Sequence, residues 1–436
     1  MARENAKPGA FSIEEMVLTN FDRSERVDIE GMYLDVSLFE DVYAPCMTCA
    51  VTLIDSQGLL DQLPIVGDER LSIRFHTPGE LTSFSNEYHI HKINNQVQAK
   101  MRSQAYTLHG ASPPLTLSNT MQVSAAYGPK LGSTIATDVF SEHFSKLTTK
   151  RLLTVEPTRG LQRYIFPRVS PMIAMRMLAS ESESDSSPSS SYMFFENHRG
   201  YHFATLEYLS TKPTKDTFYL GMQNVNLDNQ VDGINPSKII RTIERNNSPD
   251  TIRALNTGYL GSTTFAIDLV SKKFDTITYS YQRDFNKVKQ VGEADMPVLD
   301  SKSRLLDGSD ESTSRFIATT GFRDSSQYIN LREQQYPRSR QKFAAIEAAY
   351  LLQQAHTNRK TITIPGYSEL AAGDVIDLVI PEQSETKNSK LEEAKFESGS
   401  YLVTSVCHNF NSSGEYINIV ECTKGSFESK PRNVRE

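Results

Sequence analysis

Tryptophan is absent from this 436-residue chain, and cysteine occurs only four times. Four thiols in so long a sequence cannot supply a disulfide framework, and the count fits a reducing site of synthesis. No run of 18 apolar residues occurs, so no helix is expected to span a bilayer. The opening M-A-R-E-N-A-K-P-G-A lacks the apolar core of a signal peptide, and Sec export is not expected. Excess positive charge is missing too. A net charge of -7 at pH 7 disfavours a general nucleic-acid binder, whose affinity comes from neutralising phosphates.

The signatures of common chemistries are also missing: no P-loop, G-x-G-x-x-G, H-E-x-x-H or G-x-S-x-G occurs. Cys46 and Cys49 have C-x-x-C spacing beside a strand, where an offset of three turns the side chains to opposite faces. Cys407 and Cys422 do not form a second such pair, so zinc or redox work is disfavoured. His89 and His91 share a strand face without an evident third ligand, and read as an exposed polar pair. His198 and His202 flank the Gly200 turn, where structural hydrogen bonding across a hairpin is the expectation. No catalytic residue, metal ligand or cofactor site is expected.

What is present describes a globular chain, with 23% charged and 38% hydrophobic residues. The length suggests two to four domains, and aromatic packing falls to 19 tyrosines and 21 phenylalanines. The clearest pattern runs from Thr361 to Cys422. Its period-2 stretches are bounded by Pro365-Gly366, Gly373-Asp374, Pro381, Gly399 and Ser413-Gly414, so it reads as a small antiparallel meander.

The same order of signals occurs near the N-terminus. Gly67-Asp68 matches Gly373-Asp374, Tyr88 matches Tyr401, and Tyr106 matches Tyr416. This is either an internal duplication of one β-domain or an accidental likeness of two meanders, since strand and turn rules generate such patterns freely. Gly67, Asp68, Gly373 and Asp374 are the residues singled out as structural turn determinants.

Residues 11–110 read as all-β, with strands expected at Met32–Leu38 and Met47–Ile54. A helix is expected over Leu131–Phe144, with Ile135, Val139, Phe140 and Phe144 on one face. A second starts at Ser170-Pro171, with Ser as cap and Pro at the first helical position. The run S-E-S-E-S-D-S-S-P-S-S-S reads as a solvated loop. Two strands then flank an Asn197–Gly200 turn, with Tyr192, Phe194, Phe195, Tyr201 and Phe203 as hairpin core. Asn235-Pro236 suggests a short helix carrying Ile239, Ile240 and Ile243, and Gly261–Tyr281 a long hairpin. Residues 290–340 look irregular, and Arg340–His356 has a small-residue helical stripe.

The β-domain at each end, the S-P-M-I-A-M-R-M-L-A helix, the Ser-rich gap and Y-M-F-F-E-N-H-R-G-Y-H-F-A-T-L-E-Y-L carry a family resemblance. Together with A-A-I-E-A-A-Y-L-L-Q-Q leading into I-P-G-Y-S-E-L-A-A-G-D-V-I-D-L, the chain resembles the central baseplate hub proteins of T4-type contractile-tailed phages. The resemblance implies an α+β, β-rich fold with two tube-type antiparallel β-barrel domains and a mixed α/β insertion. The barrels would take residues 1–112 and residues 205–283 with 341–425. The insertion would take 113–204 with 284–340, leaving 426–436 as a tail.

The resemblance further implies a non-enzymatic homotrimer in the virion baseplate, made in the host cytoplasm. Six barrels in a pseudo-sixfold ring would join a threefold central spike protein to a sixfold tail tube protein, with other baseplate proteins around it. DNA would pass through the channel without stable binding, and the negative charge of three copies suits an acidic lumen. No membrane insertion is implied. Two alternatives stand beside this reading: the hub of a related contractile injection or secretion device, and a tail-associated cell-wall-degrading enzyme.

Overall fold

A computed structural model describes residues 7–62, 65–80, 82–100, 103–187, 189–221, 235–246, 252, 261–268, 273–280, 291, 315–321, 358–382, 394 and 397–424. The structure is β-rich, and antiparallel pairing dominates it. The N-terminal strands are β1 (Ser12–Thr19), β2 (Arg26–Asp28), β3 (Tyr33–Asp41), β4 (Thr48–Asp55), β5 (Arg70–His76), β6 (Phe84–Lys100) and β7 (Ser103–Ala111). β3, β4 and β5 alternate between buried and more exposed positions, as half-buried strands must. β6 bends at register shifts between Ile90 and Lys92 and between Asn94 and Val97, where Asn95 takes a φ of 54°.

The middle of the chain contributes β8 (Val123–Leu131), β9 (Leu152–Val155), β10 (Leu161–Val169), β11 (Tyr192–Asn197) and β12 (Gly200–Thr205). The helix α1 (Gly132–His143) buries Ile135, Val139 and Phe140 as its periodicity predicts, and Phe144 is buried just beyond it. α2 (Pro171–Glu181) starts at Ser170, whose side chain accepts the Ile173 amide, with Pro171 in the first turn. Both helices pack with the β11–β12 hairpin in one core containing Met175, Leu178, Phe194, Tyr201 and Phe203. The aromatic run is therefore hairpin core.

Two expectations for this region hold only in part. The Ser-rich run is solvated only in part: Ser180, Asp185 and Ser186 are exposed, but Ser182, Ser184, Ser189, Ser190 and Ser191 are buried. Hydroxyls are cheap to bury once bonded, and here Ser184 Oγ donates to Glu156 Oε1 at 2.5 Å while Ser182 Oγ donates to Leu178 O at 2.7 Å. The Asn235-Pro236 start also yields only a single 3₁₀ turn, Pro236–Lys238. Ile239, Ile240 and Ile243 then enter strands, as β-branched residues do when a sheet edge offers itself.

The remaining strands are β13 (Thr214–Leu220), β14 (Ile239–Ile240), β15 (Thr242–Arg245), β16 (Gly261–Asp268), β17 (Lys273–Ser280), β18 (Arg315–Gly321), β19 (Asn358–Pro365), β20 (Val375–Val379), β21 (Gly399–Asn411) and β22 (Tyr416–Lys424). β16 and β17 form the expected hairpin. β18, within a stretch that reads as irregular, joins them in parallel and completes a separate three-stranded sheet. The expected Arg340–His356 helix lies outside the described residues.

Thr361–Cys422 is not a simple meander. β20, β21 and β22 pair consecutively, but β19 pairs with β22 and β15 rather than with β20. The chain leaves β19 through Pro365-Gly366, and the Gly366 amide donates to Tyr416 O at 2.8 Å on the neighbouring strand. The ladders run β13–β20–β21–β22–β19–β15, and β14, which pairs with β13, precedes β15 by one residue.

The two ends share a ladder order. β5–β6–β7–β4–β3 is antiparallel throughout, and so is β20–β21–β22–β19–β15. They differ beside the first strand, where β1 runs antiparallel to β5 and β13 runs parallel to β20. β3 and β21 pair edge to edge from Asp41–Ser405 to Asp35–Asn411, fusing both ends into one 14-stranded sheet. The first core accordingly includes Phe410 and Tyr416 from the far end of the sequence.

Candidate functional site: a buried junction of three parts

Gly373 and Gly67 both take positive φ, 87° and 103°, in the turns before β20 and β5. Asp374 accepts the Ala371 amide at 3.1 Å, closing its turn. In the earlier turn Asp68 is exposed, with Oδ1 3.9 Å from His89 Nδ1. The next residue, buried Glu69, closes that turn by accepting the Val66 amide at 2.7 Å and the Gly67 amide at 2.9 Å.

Asp374 also faces the β11–β12 turn. Arg199 Nη1 donates to Oδ1 at 2.8 Å and Nη2 to Oδ2 at 2.6 Å, a two-pronged pair. Beside it Asn197 Nδ2 donates to Ala372 O at 3.1 Å, and its Oδ1 accepts the Arg199 and Gly200 amides, holding the turn in shape. Lys150 Nζ donates to Glu196 Oε1 at 2.8 Å, while Glu196 Oε2 accepts the Met47 amide at 3.2 Å. A small apolar core of Val42, Phe195, Ala204, Leu209, Ala372 and Leu402 lies at the same junction.

Glu40 sits at the centre with no exposed surface. Its Oε1 accepts the His198 amide and His198 Nδ1, both at 2.8 Å, and its Oε2 accepts the Ala372 amide at 2.9 Å. His408 Nε2 lies 4.0 Å from Oε1. β3 supplies Glu40, the β11–β12 turn supplies His198, and β21 supplies His408. The ring of Phe84 packs on both imidazoles, at centroid distances of 5.2 Å and 5.1 Å.

Burial opposes the charge on Glu40, but His198, His408 and the Ala372 amide outweigh it and hold the carboxyl at about 2. The ionised carboxylate can only accept, so His198 carries a hydrogen on Nδ1. Burial pushes His408 down to about 4, against the attraction of Glu40, so it is a neutral ring at neutral pH. The hold on Glu40 at that pH therefore comes chiefly from His198 and the backbone.

His198 and His202 do not face each other across the hairpin, but each makes a structural hydrogen bond as expected, His198 with Glu40. His202 is paired with Phe195, stacks on that ring and contacts Thr154 Oγ1 through Nδ1 at 2.9 Å. His89 and His91 are not an exposed pair either. His89 is buried, with Nδ1 3.1 Å from Thr116 Oγ1, and the register shift between Ile90 and Lys92 separates it from exposed His91. Cys46 and Cys49 enter different cores, in keeping with their opposite faces.

Glu40 and His408 do not stand out as motifs, yet each has a signal. The inward face of β3 reads Val36, Leu38, Glu40, and that of β21 reads Val406, His408, Phe410. A titratable residue on an apolar period-2 face needs a partner, and the ladder aligns Val406 with Glu40 and Leu38 with His408.

No protein-family model matches the chain, and no curated protein matches it. Solved structures do. A tail protein from Neisseria meningitidis MC58 is similar over 95% of this chain and 97% of its own, with TM-score 0.53 and 8% identity. The 43 kDa tail protein of prophage MuSo2 from Shewanella oneidensis is similar over 95% and 99%, also with TM-score 0.53 and 8% identity. At this identity the likeness concerns the fold alone, and this β-rich chain shares it with those tail proteins across nearly its whole length.

Proposed function

We propose that the chain is a non-enzymatic structural component of a phage tail baseplate, acting as its hub. Three copies form a ring in which each contributes two related β-barrels, one from each end of the sequence. The observation that carries this reading is the repeated ladder order, β5–β6–β7–β4–β3 and β20–β21–β22–β19–β15, fused edge to edge through β3 and β21. Two like units in each of three chains offer six near-equivalent surfaces, which suits a tail tube protein on one side and a threefold spike protein on the other. The whole-length likeness to two tail proteins supports the setting in a virion tail.

On this reading Gly67, Asp68, Gly373 and Asp374 shape equivalent turns, and the middle of the chain braces the ring through the Glu40 and Asp374 contacts. Mass photometry of the purified protein tests it. A species of three chains is expected, and a stable 49.0 kDa monomer at micromolar concentration overturns the ring. Lysis of cell walls by the purified chain would overturn the non-enzymatic reading.

A further inference from the structure

We propose that Glu40, His198 and His408 bind one divalent transition-metal ion of the zinc class, which ties β3, the β11–β12 turn and β21 together. The ligand atoms Glu40 Oε1, His198 Nδ1 and His408 Nε2 all lie within 4.8 Å of one another. A carboxylate oxygen and two imidazole nitrogens form a donor set that suits zinc, whose bonds of about 2.0–2.1 Å separate tetrahedral ligands by about 3.3 Å. The distances from Oε1, 2.8 Å to His198 and 4.0 Å to His408, bracket that spacing.

A further observation points to a cation. His408 Nε2 is a fully buried polar atom without a hydrogen-bond partner, aimed at Glu40. Its other nitrogen, Nδ1, lies 2.7 Å from Tyr416 Oη and 3.2 Å from the Asn418 Nδ2 donor; with an ion bound, the ring hydrogen lies on Nδ1 toward Tyr416 Oη and the Nε2 lone pair faces the cluster. The Asn418 amide is held by Tyr367, with Oδ1 accepting its N–H and Nδ2 donating to its carbonyl, both at 3.0 Å, so the wall behind His408 is rigid. On metal binding His198 shifts its hydrogen to Nε2 and frees Nδ1 for the ion. Glu40 keeps the His198 and Ala372 amides as supporting bonds. One carboxylate and two neutral rings then hold the ion, with a water as fourth ligand, in a pocket walled by Phe84.

The test uses the full chain, stripped with chelator and dialysed. Titration with Zn²⁺ should show one ion per chain and a higher melting temperature, and Co²⁺ should give the visible absorption of a tetrahedral N/O site. His408→Gln and His198→Gln should each weaken uptake at least tenfold while the circular dichroism stays that of the parent. A folded parent chain that takes up no metal overturns the proposal, whatever the variants do. So does wild-type uptake by both folded variants, which would place the ion elsewhere. The oligomeric state is read separately, so failure here leaves the hub reading standing, and the reverse also holds.

Discussion

Arg199 and Asp374, 175 positions apart in sequence, meet as a two-pronged ion pair that fastens the β11–β12 turn to the turn before β20. Asp374 is 9% exposed and Arg199 35%, so the carboxylate depends on the pair more than the guanidinium does. Asp374→Ala removes both the pair and the Ala371 cap, and a loss of about 2 kcal/mol is expected in urea unfolding. Arg199→Lys keeps the charge without the fork and should cost about 1 kcal/mol. No loss in Arg199→Lys beside the full loss in Asp374→Ala would show that the turn, not the pair, is what Asp374 stabilises.

Three glycines should differ in their response to alanine. Gly67→Ala meets nothing within 4 Å and suffers only its positive φ, so about 1 kcal/mol is expected. Gly373→Ala adds a Cβ 3.1 Å from Phe195 Cζ to a similar backbone cost and should lose about 2 kcal/mol. Gly366→Ala places its Cβ inside the Tyr416 ring, so that variant should be the least stable of the three or fail to fold. The ranking of thermal midpoints checks this, and a Gly366→Ala protein as stable as Gly67→Ala would contradict the packing.

Acid should weaken the fold through His202. Burial holds this ring at about 3, well below the ordinary 6.5, with Lys212 and Arg199 adding to the depression. The unfolded chain therefore binds the extra proton first. The contribution is complete above about pH 6.5 and declines as pH falls toward 3, by at most about 1.4 kcal/mol per pH unit. His202→Gln should flatten the slope of unfolding free energy against pH in that window. An unchanged slope would remove His202 from the acid response.

The cysteines should be quiet in the folded chain. Cys46, Cys49 and Cys422 are buried, and burial pushes the Cys422 thiol up to about 12. Cys407 is half-buried, with its thiol raised to about 11. Alkylation followed by mass spectrometry should find slow labelling at Cys407 alone, and all four sites in denaturant. Rapid native labelling of Cys46 or Cys49 would be incompatible with the two cores that hold them.

The strands of both ends are legible because half-buried strands write their alternation into the sequence, and Gly67, Gly373 and Gly414 mark turns with positive φ. α1 and α2 are legible for the corresponding reason at period 3.6. Ser180–Ser191 misleads in part because polarity suggests exposure, whereas buried hydroxyls find partners inside the protein. Ile239, Ile240 and Ile243 mislead because a cap-plus-proline start says only that a turn begins, and neighbouring strands decide whether the chain then coils or extends.

Local chemistry by itself determined where this chain turns, which segments alternate, and that Asp374 closes a turn. Only the tertiary structure decided that β19 lies beside β22, that β3 joins β21, and that Glu40 meets His198 and His408. Alternation and turn geometry depend on residues a few positions apart. The choice of strand neighbour depends on which surfaces, hundreds of residues apart, close over one another and leave buried charges paired.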